Sequence, residues 1–304
     1  MINQDEITDN DFIIFMRRCG LCCIIFILFV CWGCALPPKK LMIKDMNMQF
    51  KEGTIVSAIR GGPVSFDELI ADLKESRMIY IGETHTSKPH HDIQLQIIRE
   101  LYGKNPEIIT VGMEMFDRTY QPILDKWSEG GLDRQSFINR THWYANWKYD
   151  YELYSGILEF IKEKKIKLVG LNIPFHIPAK IARGGLESLS GDEKKHLPEK
   201  IDVSDKLHRE YVENIFRRHK IKGMEDFEYF YVAQCVWEDI MAETASNNIK
   251  NGVMVILAGN GHVLRYGIPG RAFARNGFPY RIIFLAPVGT VADMSHIDYI
   301  WVTP

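Results

Sequence analysis

Hydrophobic runs in this chain repeatedly stop at a glycine and hand over to polar residues. Met78-Ile79-Tyr80-Ile81-Gly82 leads to Glu83-Thr84-His85, and Ile108-Ile109-Thr110-Val111-Gly112 to Met113-Glu114. Leu168-Val169-Gly170 leads to Leu171-Asn172, and Val255-Ile256-Leu257-Ala258-Gly259 to Asn260-Gly261-His262. Short apolar runs of this kind predict buried strands. A looser alternation over 54–59 predicts an earlier strand, stopped by Gly61-Gly62-Pro63.

Helical periodicity fills the intervals. Ser65-x-x-Glu68 is a capping box opening a helix through Lys74, with Phe66, Leu69, Ile70 and Leu73 on one face. Pro89 opens a second helix that Gly103 closes, with His91, Leu95, Ile98 and Tyr102 at helical spacing. Segments 117–127 and 132–140 follow, then 149–165, whose stripe is Tyr151, Tyr154, Ile157, Leu158 and Ile161. Residues 173–250 carry no strand signal and predict an all-helical insertion, broken by Pro174, Pro178, Gly184-Gly185 and Pro198 before long helices over 205–220 and 224–248. The strands resume over 253–258, 281–286 and 297–302. Strands alternating with helices imply parallel pairing through crossovers, so the expected architecture is α/β, a three-layer sandwich around a mainly parallel sheet.

In open α/β sheets ligands bind outside the carboxyl ends of the strands. Glu83, His85, Glu114, Asn172 and His262 should converge there, with His91 in the first turn of the following helix. A single polar residue after a strand is commonly only a turn or cap; the repetition makes the set a candidate pocket. Glu83, His85, Glu114 and His262 are suitable metal ligands by type, and Glu83 or Glu114 could act as a catalytic acid or base. They could equally anchor a cofactor. No H-E-x-x-H helix or cysteine cluster makes the ligand spacing specific. No G-x-S-x-G elbow is present, and Cys235 sits in an apolar helix, the ordinary place for a packed thiol. Gly259-Asn260-Gly261-His262 lacks the third glycine of a dinucleotide fingerprint.

A second concentration is aromatic: His142, Trp143, Tyr144, Trp147, Tyr149, Tyr151 and Tyr154, with Phe227, Tyr229, Phe230, Tyr231 and Trp237 in the insertion. Most of these rings read as core. A porphyrin needs only a few, plus a Tyr or His to reach its iron, and Tyr144, Trp147 and Tyr149 are the candidates for such a surface. Gln234 and Glu238 read as satisfying buried backbone groups, although Glu238 could approach the strand ends. His90 stands beside the pocket without an assigned role, and His176, His196, His208, His219 and His296 read as ordinary surface or loop residues.

Composition narrows the choice. With 304 residues and 46% hydrophobic content the chain can bury a large core. Without residues 1–33 it carries 35 basic and 35 acidic side chains, and a neutral body argues against nucleic-acid binding. Five of its six cysteines lie before residue 35, which leaves no disulfide framework in the body. Arg17-Arg18 followed by the apolar stretch 20–32 reads as a signal peptide over 1–33, too short to span a bilayer comfortably. Gly33-Cys34 resembles a bacterial lipoprotein cleavage site, so Cys34 is the expected lipid-bearing terminus of a tether over 34–50, followed by one domain over 51–304. The competing reading is an uncleaved anchor over 12–36. Met16 is an alternative start, since residues 1–15 add acidic charge that a signal peptide does not favour.

Several ordered pieces resemble one family: Gly82-Glu83-Thr84-His85, His91 with Gln94, Gly112-Met113-Glu114-Met115-Phe116, the Trp147…Tyr151…Tyr154 segment, Gly170-Leu171-Asn172-Ile173-Pro174, Ala233-Gln234…Trp237-Glu238…Met241-Ala242, and Ala258-Gly259…Gly261-His262-Val263 with Gly267-Ile268-Pro269. Over residues 79–288 the chain resembles the ChaN-like haem-binding lipoproteins, a branch of the Tiki superfamily that also holds erythromycin-esterase-like and TraB-like domains. The resemblance implies haem binding linked to iron uptake. At superfamily level it implies a Glu/His pocket, here Glu83, His85, Glu114 and His262, that elsewhere performs metal-dependent or hydrolytic chemistry. The expectation is therefore an exported bacterial lipoprotein, anchored at the membrane and facing the periplasm or the cell surface. It would bind haem, with a second copy as a candidate cover for an exposed porphyrin face. The alternative is a metal-dependent, peptidase-like hydrolase in which Glu83 or Glu114 activates a metal-bound water.

Overall fold

A computed structural model describes residues 39–104, 109–218, 226–249 and 251–304. The expected signal peptide, Cys34, His219 and the helix ends expected at Lys220 and Met224 lie outside these residues. Residues 40–304 form one compact unit.

Its frame is an eight-stranded sheet in the order β4-β3-β11-β9-β5-β8-β6-β7, where β3 is Ile55–Ser57, β4 Gly62–Val64, β5 Met78–Glu83, β6 Ile109–Asp117, β7 Lys167–Asn172, β8 Val253–Gly259, β9 Tyr280–Pro287 and β11 Tyr299–Thr303. From β11 to β7 every neighbouring pair is parallel. Only the β3–β4 hairpin runs antiparallel at one edge, so Gly62-Pro63 continues into a strand and does not merely end one. The chain passes from β5 out to β6 and β7, then returns to lay β8 between β5 and β6 and β9 on the other side of β5. Helices on opposite faces part at this reversal and leave a crevice beside β5 and β8.

Strand alternation divides the apolar residues between two cores, as a sheet covered on both faces requires. Met78, Tyr80, Met254, Ile256 and Ile282 point to one face; Ile79, Ile81, Val255, Leu257 and Ile283 point to the other. The second face carries helices α1 (Phe66–Leu73), α2 (Lys88–Lys104), α3 (Gln121–Ser128), α4 (Arg134–Arg140), α5 (Trp143–Asn146) and α6 (Tyr151–Glu163). The first carries α7 (His176–Gly184), a short α8 (Gly191–Lys194), α9 (Lys206–Arg218), α10 (Phe227–Asn248) and α11 (Ile268–Asn276). Ser65 and Glu68 close the expected capping box. The described part of the 173–250 insertion is helical, and α10 is its crossover helix.

Two local features depart from the expectation. Residues expected as tether include β1 (Leu41–Ile43) and β2 (Met48–Phe50), which join β10 (Val291–Ala292) in a separate small sheet; Leu41 and Ile43 are fully buried. β6 also runs past Glu114 to Asp117. Met113 pairs with Gly170 and Asp117 with Asn172, so Glu114, Met115 and Phe116 oppose Leu171 alone. Such a bulge re-aims side chains. It also presses Gly170 against the other strand, where a Cβ would lie 2.7 Å from the Asp117 carbonyl oxygen. Because the obstacle is backbone, Gly170→Ala should destabilise the protein by about 1–3 kcal/mol, read as a lower urea midpoint.

Candidate functional site

The strand-end residues converge. Glu83, the last residue of β5, is surrounded by donors supplied by both flanking helices on its face. Its Oε1 accepts from the Tyr154 hydroxyl at 2.6 Å and lies 2.9 Å from His85 Nδ1 and 3.5 Å from His91 Nε2. Its Oε2 accepts from Gln94 at 3.0 Å. Burial alone would raise the carboxyl, but the hydrogen bonds from His85 and His91 and the His91 charge bring it down to about 2. Glu83 is thus held as a buried anion that fixes His85 by one nitrogen. The edge of His85 also meets Trp147 and Tyr149, with ring centroids 4.7 and 5.2 Å away.

The other face builds a second arrangement of the same kind. His262 Nδ1 lies 3.1 Å from Oε1 of Glu238, a buried residue of α10. Glu238 Oε2 faces His208 Nε2 at 2.9 Å and Arg271 Nε at 3.3 Å. Arg271 also pairs with Asp239, which Arg275 holds at 2.8 Å. Burial opposes ionisation of Glu238, yet the His208 charge and hydrogen bond and the His262 hydrogen bond lower its carboxyl to about 2. Burial likewise opposes a charged His208, but Glu238 raises that imidazole to about 9.

Glu114 lies between the two arrangements. Its Oε2 accepts from the Gly259 N–H at 2.7 Å, and its Oε1 is 3.7 Å from His262 Nε2. Gly259 must be glycine for His85 to lie so close: a Cβ would sit 3.0 Å from the imidazole Cε1. His85 and His262 are both raised above the ordinary imidazole value. Burial lowers each, but the Glu83 hydrogen bond and the Glu114 charge outweigh it at His85, and the Glu114 charge and the Glu238 hydrogen bond outweigh it at His262.

Glu83, His85, Glu238, Gly259 and His262 floor a cavity of about 390 Å³, with Glu114 buried beneath it. Tyr149, Tyr211, Val212, Ile215 and Phe230 supply its apolar wall, and Thr84, Thr86 and Gln234 add polar groups. A concave, largely apolar site with a few fixed polar groups is the usual form of a small-molecule pocket. The insertion therefore roofs the site, since Tyr211, Val212 and Ile215 belong to α9 and Phe230 and Gln234 to α10.

Among the expected residues, Glu83, His85, Glu114 and His262 come together, but as carboxylate–imidazole couples at ion-pair distances. Among the described residues, no three His, Cys, Asp or Glu side chains are arranged to hold a metal ion. His91 stands behind Glu83, and Asn172 braces the site from below by donating to the Glu114 carbonyl at 2.9 Å. Of the candidate haem surface, Trp147 is 6% exposed and buried against His85, Tyr149, Tyr154 and Phe175; it offers no open face. Tyr149 lines the cavity, and Tyr144 stands 55% exposed.

His208 is not a surface residue but fully buried. His90 accepts from the Thr84 N–H through Nδ1 and meets the Thr303 hydroxyl through Nε2; burial and His91 lower it to about 4, so it is neutral. The reading of Glu238 as a backbone partner misses its role, as that of Tyr154 as simple core misses the Glu83 contact. Two signals pointed to the first: adjacent acids within the apolar run of α10, and Arg271 and Arg275 one turn apart on α11.

The family model for haem-binding uptake, Tiki superfamily, ChaN matches residues 69–271. Among solved structures, ChaN of Campylobacter jejuni, described with cofacial haem binding, is 19% identical with a TM-score of 0.66, covering 81% of this chain and 95% of that one. An erythromycin esterase EreC mutant in its open conformation gives 15% identity and a TM-score of 0.46 over 74% of each chain. A Bacillus cereus protein gives 13% and 0.45, over 74% of this chain and 70% of that one. A comparison with curated protein sequences gives no match.

Ionisation of the buried groups fixes a pH dependence. Glu83 and Glu238 stabilise the fold above their ordinary value of 4.5, and that contribution is lost as pH falls from 4.5 towards 2. His208 contributes fully below 6.5, and its contribution is lost as pH rises from 6.5 to 9. The urea midpoint should therefore be highest between about pH 4.5 and 6.5, and His208→Gln should flatten the alkaline decline and, by removing the main partner of Glu238, shrink its share of the acid one while leaving that of Glu83.

With two thirds of its length matched by one family model and its fold shared with a solved member, the chain belongs to the haem-binding uptake family of the Tiki superfamily, ChaN.

Proposed function

We propose that this protein binds haem for iron uptake, with the porphyrin edge entering the strand-end cleft and the rest lying across its aromatic rim. The observation that carries this reading is the cavity itself: an apolar wall with Tyr149 and Tyr211 on it, over a floor of anchored imidazoles, in a chain of this family. The residues present suit the group. Haem offers a flat apolar face, an iron that accepts phenolate or imidazole, and two carboxylates. Bound haem would supply the iron to be acquired, and the chain's task is to hold it. Burial and the Glu238 charge raise the Tyr211 phenol, so an un-ionised hydroxyl lines the cleft.

The proposed setting is an exported lipoprotein, anchored to a bacterial membrane through Cys34 and facing the periplasm or the cell surface. The leader composition and the tether-like Pro37-Pro38-Lys39-Lys40 support it. A second copy of the chain is the proposed cover for any porphyrin face left exposed.

Haemin added to the full chain in detergent should give a saturable Soret band, weakened in Tyr149→Phe, Tyr144→Phe or Tyr211→Phe according to which phenol meets the iron. A wild-type titration without saturation would reject the reading. Cys34→Ser should abolish incorporation of labelled palmitate and free the protein from the membrane fraction; unchanged membrane association would reject the anchor.

A further inference from the structure

We propose that the floor of the strand-end cleft is a carboxylate subsite, where the outward edges of His85 and His262 together receive a carboxylate of the ligand, in haem a propionate. This deepens the haem reading and rests on it for the identity of the ligand.

The geometry of both rings carries the proposal. Each has Nδ1 tied to a buried carboxylate, His85 to Glu83 at 2.9 Å and His262 to Glu238 at 3.1 Å. Nε2, on the opposite edge of an imidazole, is thereby turned away from that carboxylate. Accessibility follows the same order: the His85 and His262 side chains are 27% and 16% exposed, against 0% and 3% for Glu83 and Glu238. The cleft thus meets two partly exposed imidazoles, each with a buried carboxylate behind its Nδ1 and with Glu114 beside Nε2 of His262. The rings are also fixed in place, His85 over Gly259 and against Trp147, His262 against Trp237 at 5.3 Å. An anion meeting such donors loses little to their ordering.

Charge balance agrees. Glu83, Glu114, Glu238 and Asp239 face Arg271, Arg275, His208 and the two imidazoles. His91 also faces Glu83 at 3.5 Å, so with both cleft imidazoles protonated the cluster carries at least one net positive charge, which an arriving carboxylate offsets. Glu114 leaves this place open, because its Oε2 is committed to the Gly259 N–H and its Oε1 stays 3.7 Å from His262, beyond a hydrogen bond. Thr84 and Thr86 line the same cavity and offer hydroxyls to a second oxygen.

The test compares haemin with haemin dimethyl ester on the full chain. The free acid should bind at least about tenfold tighter, as expected for a lost charge-assisted hydrogen bond. His85→Phe and His262→Phe should each narrow that ratio while the ester still binds. Equal affinity of acid and ester for the wild type, or an unchanged ratio in both variants, overturns the subsite. A second measurement needs no haem: sodium propionate should shift the His85 and His262 imidazole resonances and propionamide should not. Selective propionate shifts without haemin binding would sink the haem reading and leave the subsite standing, whereas equal effects of propionate and propionamide would overturn the subsite.

Discussion

An ionised carboxylate inside a protein survives only where donors converge on it. Glu83 meets that requirement with groups from three places: the loop after its own strand gives His85, α2 gives His91 and Gln94, and α6 gives Tyr154. The packing of two helices against the sheet is thus tied to one buried charge. Glu238 imposes the same condition on the opposite face, drawing in α9 through His208 and α11 through Arg271. Each face of the sheet carries its own anion, and each anion extends one imidazole into the crevice.

This arrangement separates the roles of similar residues. His85 and His262 reach the cavity, while His91, His208 and His90 are all buried, the first two beside carboxylates and the third in a neutral hydrogen-bonded position. It also explains why ligand type alone suggested a metal centre. Carboxylates and imidazoles are the donors of such centres, but here each imidazole already has a carboxylate at ion-pair distance.

The strand ends were legible in the sequence because an apolar run stopped by glycine has few other readings, and the capping box and the stripe of α6 were legible for similar local reasons. What stayed hidden was non-local. His208 lies in a helix with a plainly polar side, and only Glu238 and Arg271, distant in sequence, make it a buried cation. Trp147 looked available because an aromatic cluster in sequence does not reveal which ring faces outward. β1, β2 and β10 span two or three residues each, too few for alternation to register. The β6 bulge is a matter of register between two strands, and neither strand encodes it alone.

The place of β8 between β5 and β6 has a consequence for biogenesis. The Gly259 amide that secures Glu114 comes from 145 residues further along the chain, after the whole helical insertion. Until β8 slots in, β5 and β6 present unpaired edges to one another and Glu114 lacks that donor. Contacts closed over such a span form slowly, and open strand edges invite pairing with other chains. The facing edges of β5 and β6 in an immature chain therefore stay open until β8 arrives.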